Sequence, residues 1–523
     1  MSTSDLSAGG EPAIQQRKRK KRLRLEDITV VDRATLKRAV AAAALGNAME
    51  WFDFGVYSYI AVTLGRVFYP DSSGSVQLLA TLATFAVAFL VRPLGGMFFG
   101  PLGDRIGRQK VLAATMIMMA ISTFCIGLIP SYASIGIWAP ILLLLARLVQ
   151  GFSTGGEYGG AATFIAEYSP DRRRGFMGSW LEFGTLGGYV LGAAIVTALT
   201  SYLDDETLLS WGWRVPFFIA GPLGLIGLYL RLKLEETPAF QQQAEAQTGE
   251  PTPKNEFVNM ITSNWKALLV CVGLVLVFNV TDYMLLSYMP SYLSANLGYD
   301  ADHGLLLVLL VMLVMMVVQP LVGLLSDRVG RKPVILAGCI GFLVLSIPSI
   351  MLIQTGSTLL IFAGLMVLGL LLNCFTGAMP AALPALFPTA IRYGALAIAF
   401  NVSVSLFGGT TPLFTAWLVD VSGNLMMPAF YLMLAAVIGA ATILVTPETA
   451  SKPLKGSSPS ASDPAEAKEL LAEHHASIEE QLEEIESELK SIEARRDSLI
   501  HQHPELSKRE RQTPAQGDAP AAS

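Results

Sequence analysis

Asn47, Glu50, Asp53 and Tyr57 follow one another at intervals of three or four residues, as do Arg147, Gln150, Thr154 and then Glu157 or Tyr158. On a helix, such spacing puts each set on one face. Further charges inside long apolar runs are Arg92, Glu182 and Asp282. A charge within a membrane span is costly and by default marks a polar pathway. Carboxylates such as Glu50 and Asp53 suit proton uptake and release, and the guanidinium groups of Arg92 and Arg147 suit an anionic group. The second half of the chain offers chiefly Asp282, so proton and substrate coupling is expected in the first half. The alternative is that these charges pair as buried salt bridges that only fix helix packing.

Other chemistries find little support. Of five histidines, His303 lies in a loop and the rest lie in the hydrophilic tail, so none is placed within an apolar run to ligate a metal or act as a base. His474 and His475 read as a solvated helix surface. Gly155 and Gly156 sit inside an apolar run and lack the lysine of a phosphate-binding loop, which disfavours an ATP-driven pump. Cys125, Cys271, Cys339 and Cys374 stand singly among apolar residues, as packing groups do. The sequence therefore implies no enzyme, no metal, no cofactor and no nucleic-acid partner.

The elements that must position these residues are membrane helices. Of 523 residues, 52% are hydrophobic and 15% charged, where soluble domains carry about 25% charged residues; mean hydropathy is +0.49. Apolar stretches fall near 39–64, 76–100, 110–130, 136–166, 176–200 and 213–232, then near 264–293, 304–326, 333–353, 358–386, 392–419 and 427–446. Each is long enough to cross about 30 Å of hydrocarbon as a helix. Between the second and third stretch of each set stands a charged hairpin, G-P-L-G-D-R-I-G-R-Q-K from Gly100 and G-L-L-S-D-R-V-G-R-K from Gly323. The duplication makes the chain two related halves. One alternate set of loops holds Arg105, Arg108, Lys110, Arg172, Arg173, Arg174, Arg328, Arg331 and Lys332. By the positive-inside rule those loops, and both termini, are cytoplasmic.

The expected organisation is an all-α membrane protein of twelve transmembrane helices in two six-helix halves, with a C-terminal coiled-coil helix. A basic arm (1–35) precedes the first half (36–232), a central cytoplasmic loop (233–263) and the second half (264–447). A linker (448–463), the coiled-coil helix (464–503) and a disordered tail (504–523) follow. The run from Arg17 to Arg24 suits anionic lipid headgroups or a plain solvated arm. Asp463 is placed to cap the last helix, with Pro464 in its first turn. Leu471, Ile478, Ile485, Ile492 and Leu499 repeat every seven residues, with Leu482 and Leu489 interleaved. That is a coiled-coil seam suited to self-association; docking on the chain's own loops is the alternative.

The doubled hairpin, the twelve stretches and R-L-V-Q-G-F-S-T-G-G-E-Y from Arg147 to Tyr158, with D-R-R-R-G following at 171–175, resemble the major facilitator superfamily in its metabolite:proton symporter branch. L-G-N-A-M-E-W-F-D-F-G-V-Y at 45–57, A-E-Y-S-P-D-R at 166–172, L-E-E-T-P-A-F-Q-Q at 234–242 and the heptad tail carry the same resemblance. The resemblance implies a secondary symporter of the bacterial inner membrane, driven by protons and importing zwitterionic osmolytes such as proline or glycine betaine under osmotic activation. It implies that Asp104, Arg105, Arg108, Asp327, Arg328 and Arg331 act in gating. For a zwitterion, Arg92 or Arg147 would meet the carboxylate, and Trp51, Tyr57, Trp180 and Tyr288 offer aromatic faces to the cation; Glu157 and Tyr158 belong to the same expected substrate path. Two other functions stay open: proton symport of a carboxylate metabolite, and a transporter-like receptor that binds without transport.

Overall fold

The computed structural model describes residues 23–106, 108–155, 157–232, 262–389 and 391–502. Most of the basic run, most of the expected central loop and the end of the tail lie outside the described residues. Residues 31–462 form one unit, and the N-terminal residues up to Val30 together with those from Asp463 onward form another.

Within the larger unit the apolar stretches are helical, the conformation that satisfies backbone N–H and C=O groups inside a single segment in lipid. The first half holds α1 (Arg33–Tyr59), α2 (Gly74–Ile106), α3 (Arg108–Leu128), α4 (Trp138–Ser153, resuming at Glu157–Tyr168), α5 (Arg174–Tyr202) and α6 (Val215–Leu232). The second holds α7 (Trp265–Tyr283, running on through π turns to Asn296), α8 (Ala301–Val329) and α9 (Arg331–Ile353). It is completed by α10 (Thr358–Ala385), α11 (Arg392–Ser403, continued through a π turn to Thr411–Ser422) and α12 (Met427–Val445). Among the described residues nine helices are long and apolar enough to cross a membrane, and α3 and α6 contain shorter apolar stretches. In α1 the charges of Glu50 and Asp53 interrupt the apolar character.

Small residues set how closely the helices approach. A Cβ on Gly151 of α4 would stand 1.8 Å from the Ala88 carbonyl oxygen of α2, and one on Gly95 of α2 would stand 1.8 Å from that of Phe152. The two backbones are therefore in direct contact at this crossing. It lies beside Arg92 and Arg147, so the glycines fix how deeply those side chains are set.

In the smaller unit α13 (Pro464–Gln502) is a single helix. Asp463 Oδ1 accepts from the backbone N–H of Ala465 at 3.1 Å and of Glu466 at 3.0 Å, capping its first turn. The heptad seam is bare: Leu482, Ile485, Leu489 and Ile492 are all more than half exposed.

Gly151→Val should lower the melting temperature of the detergent-solubilised protein sharply, because overpacking costs about 1–3 kcal/mol even where side chains can shift and here the obstacle is backbone. Gly187→Val, whose Cβ would meet only Met316 Cε at 3.9 Å, should melt within a few degrees of the parent.

Candidate functional site

The charged stripes of α1 and α4 meet at the centre of the larger unit, closed off from water. Glu50, Asp53, Arg92 and Arg147 are all buried. Arg92 Nη2 donates to Glu50 Oε1, while Arg92 Nε and Nη1 have no hydrogen-bond partner among the described residues. Arg147 Nη1 donates to Gln150 Oε1, and its Nε and Nη2 are likewise unpartnered. Gln150 Nε2 donates to Thr123 Oγ1 at 2.8 Å, and Thr123 Oγ1 donates to Asp53 Oδ2 at 2.8 Å. Arg147 and Asp53 are thus linked through two neutral side chains. Each arginine retains donors able to receive a carboxylate.

Aromatic rings make the rest of the wall. The Arg147 guanidinium carbon lies 4.2 Å from the Tyr57 ring centroid and 5.3 Å from those of Phe54 and Phe85. That of Arg92 lies 5.4 Å from Phe54 and 5.2 Å from Phe89. Cation–π contacts of this kind are worth about 2 kcal/mol or more when desolvated, which offsets part of the cost of burying two guanidinium groups. Trp51 packs at 5.5 Å from Tyr189 and 5.7 Å from Tyr283, and Tyr283 meets Phe89 edge-on at 5.3 Å. The Tyr283 hydroxyl and Asn279 Nδ2, both on α7, are buried without a partner among the described residues. The second half therefore contributes more to the site than Asp282 alone suggests.

Helical spacing brings together Glu50, Trp51, Asp53, Tyr57 and Arg147, with Arg92 facing them from α2. Phe85 and Phe89 precede Arg92 by seven and three residues, a face that spacing could have revealed but that lay outside the expected set. Trp180 lies outside the cluster, 4.9 Å from Phe183. It is two positions from Glu182, and residues two apart on a helix face different ways. Tyr288 is also elsewhere, 5.8 Å from Tyr292 and donating to Asn296 Oδ1 at 3.4 Å. Tyr158 donates to Glu182 Oε1 and stacks on Phe400 of α11 at 3.8 Å. The Glu157 side chain is outside the described residues.

A second group of contacts lies at the end bearing the hairpins. Asp327 accepts from the backbone N–H of Gly175 at 2.7 Å and of Phe176 at 2.8 Å, in the first turn of α5. An anion is favoured at a helix N-terminus, and this one joins the two halves. Arg331 is buried and donates to Thr449 O at 3.1 Å and Ala381 O at 3.2 Å, whereas Arg328 is exposed. Arg392 of α11 pairs with Glu167 of α4 at 2.6 Å. The side chains of Asp104, Arg105 and Arg108 are outside the described residues.

The segment after α12, expected as a linker, is laid across this end as a strap. Arg174 Nη1 donates to Lys452 O at 3.0 Å, Arg392 Nη2 donates to Lys455 O at 3.0 Å, and Ser460 N–H donates to Asp171 Oδ2 at 3.1 Å. Leu454 is buried with Ala166 of the first half and Ala385 of the second. At its root, Glu448 accepts from the N–H groups of Arg331 at 3.1 Å and Lys332 at 2.9 Å. Burial alone would push Glu448 up, but backbone N–H groups from Ala450, Lys332, Arg331 and Thr449 outweigh it and hold the carboxyl below its ordinary value. Its contribution to anchoring the strap on α9 is therefore full above the ordinary glutamate range and lost as pH falls through the lowered value.

Comparison with known proteins agrees with this architecture. The family described as Sugar (and other) transporter matches residues 39–459, and the osmosensory transporter coiled coil matches residues 462–507. The chain is 56% identical over 497 residues to the proline/betaine transporter of Salmonella typhimurium, covering 94% of this chain and 99% of that protein. It is 57% identical over 497 residues to the glycine betaine/proline/ectoine/pipecolic acid transporter OusA of Dickeya dadantii, with the same coverage of 94% and 99%. In three dimensions it is similar to the major facilitator superfamily proton:xylose symporter XylE bound to 6-bromo-6-deoxy-D-glucose, with a TM-score of 0.65 and 21% identity over 80% of this chain and 98% of that one. The chain thus has the fold of the major facilitator superfamily symporter, its residues 462–507 match the osmosensory transporter coiled coil, and by its match over residues 39–459 it belongs to the Sugar (and other) transporter family.

Proposed function

We propose that the protein is a proton-coupled symporter that imports small zwitterionic osmolytes, proline and glycine betaine among them, and is activated osmotically. The observation that carries this reading is the pair of buried arginines with unpartnered donors, set among aromatic rings and beside two carboxylates. Arg92 and Arg147 offer donors to a substrate carboxylate, and Trp51, Phe54 and Tyr283 offer π faces to its ammonium group. The names of the relatives support the same substrate class.

Coupling follows from competition for the guanidinium groups. A substrate carboxylate that engages Arg92 displaces Glu50, and a buried carboxylate without its cation takes a proton rather than stay charged. Asp53 stands in the same relation to Arg147 through Thr123 and Gln150. Substrate and proton therefore load together. The hairpin end faces the cytoplasm, and Asp327 on the α5 N-terminus and the Arg392–Glu167 pair hold it shut, with Arg331, 3.9 Å from Asp327, serving the gate from its own half. Asp104, Arg105, Arg108 and Arg328 take the corresponding gating roles in and beside the hairpins.

In proteoliposomes with an inward proton gradient, proline and betaine should accumulate and a dicarboxylate should not; Glu50→Gln and Asp53→Asn should abolish accumulation while exchange of labelled substrate continues. Equal accumulation by both variants and the parent would remove these carboxylates from the coupling step.

Asp327→Asn should weaken the closed state, since hydrogen bonds to an ionised group contribute about 1.5–3 kcal/mol. A cysteine placed at Ser179, buried between α5 and α8, should then label faster from the cytoplasmic side than in the parent with native Asp327. Unchanged labelling would take Asp327 out of the gate.

The bare seam of α13 supports pairing of two such helices. From Glu466 to Glu493 the helix carries ten Glu against Lys468 and Lys490, and repulsion between exposed charges is screened over about 8 Å at physiological ionic strength and more strongly in higher salt. A peptide of residues 464–503 should gain helicity and dimer fraction in circular dichroism and sedimentation as salt rises, as it does inside a cell that loses water. A flat or falling response would rule out this form of osmotic activation.

A further inference from the structure

Glu182 lies in the first third of α5, buried, and forms no ion pair among the described residues. Its two oxygens have different partners: Tyr158 OH is bonded to Oε1, and Thr185 Oγ1 donates to Oε2 at 2.9 Å. Thr185 in turn receives Asn47 Nδ2 at 2.5 Å, and Asn47 Oδ1 receives Trp51 Nε1 at 3.1 Å. An indole N–H only donates, so the direction of this chain is fixed from its Trp51 end. Asn47 must present its oxygen to Trp51 and its amide hydrogens to Leu181 O and Thr185 Oγ1. The Thr185 hydrogen is then committed to Glu182 Oε2. A proton on Glu182 is best placed on Oε1, whose partner Tyr158 is a hydroxyl that can turn from donor to acceptor, whereas Thr185 cannot.

The surroundings favour that proton. The ionisable groups facing Glu182 are Tyr158 of α4 and Asp282 and Tyr283 of α7, each within range of its charge. From α1, Glu50 is already paired with Arg92. Helix α10 carries no charged residue, those of α8 lie in its first and last turns, and those of α6 and the rest of α5 lie at their ends. Two buried carboxyls, Glu182 from one half and Asp282 from the other, thus stand without a paired cation among the described residues, and both cannot be ionised there.

We infer that Glu182 is a further proton-carrying residue of the transport cycle, coupled to the substrate chamber through Trp51, Asn47 and Thr185. The inference rests on the proton-coupled reading above. Substrate that engages Trp51 acts on Glu182 through the directed chain. Tyr158, which covers Oε1, is itself held by Phe400 of the opposite half, so separation of the halves exposes the proton. It then leaves Oε1 for water and the carboxylate remains, to be reprotonated from the other side.

The test uses the full chain in proteoliposomes with labelled proline. With an imposed pH gradient, Glu182→Gln should exchange substrate but fail to accumulate it, and Glu182→Asp should restore part of the accumulation. Thr185→Val removes one donor to the ionised form, so the midpoint of its exchange rate against pH should move up by about one unit. Accumulation by Glu182→Gln equal to that of the parent, or a Thr185→Val profile that superimposes on the parent's, overturns the assignment. If the parent itself ignores the pH gradient, the proton-coupled reading falls and this inference with it; a parent that responds together with an unaffected Glu182→Gln rejects Glu182 alone.

Discussion

Burial of Arg92 and Arg147 in the middle of the membrane unit is the constraint from which much else follows. Removing one partner of a buried charge pair costs about 3–5 kcal/mol, so each guanidinium has to be accommodated by what surrounds it. Glu50 and Gln150 take one donor group each, and the faces of Tyr57, Phe54 and Phe89 take part of the remaining charge. Four nitrogens are still unsatisfied among the described residues. A site left short of acceptors in this way favours an anionic visitor, and the close backbone contact at Gly95 and Gly151 holds the two helices at the depth that keeps it so.

The hairpin end is held together differently. There, the charges meet backbone groups more often than one another: Asp327 meets the N–H groups of α5, Glu448 those of α9, and Arg331 carbonyls of α10 and the strap. Main-chain partners are fixed in place by the helices that carry them. Of these contacts, only the Asp327 bonds to α5 cross between the halves; the Glu448 and Arg331 bonds hold the strap's root to the second half.

Much of the site is legible in the sequence because a charge in an apolar helix is rare and its neighbours at three and four positions share its face. Glu50, Asp53 and Tyr57, and Arg147 with Gln150, emerge in that way, and Arg92 by its charge alone. Aromatic residues carry less information. They are common in spans, so the periodicity that puts Trp51 in the cluster does not separate it from Trp180 and Tyr288, and Phe54, Phe85 and Phe89 are masked by more conspicuous charges. The weight of the second half is also hidden, since Asn279 and Tyr283 acquire their meaning from rings and glycines on helices distant in sequence. The strap is illegible for a different reason: its composition is that of a linker, and what orders it is a set of arginines elsewhere in the chain.

Those arginines grip the strap chiefly by its main chain, at the carbonyls of Thr449, Lys452 and Lys455. Every residue type offers the same carbonyl, so side chains along most of this stretch are free to drift over evolutionary time. Its length is not. The grip points recur at a fixed pitch, and losing a single residue would put every later carbonyl out of reach of its arginine. The segment behaves as a ruler, in which the count of residues is inherited and the letters are largely optional.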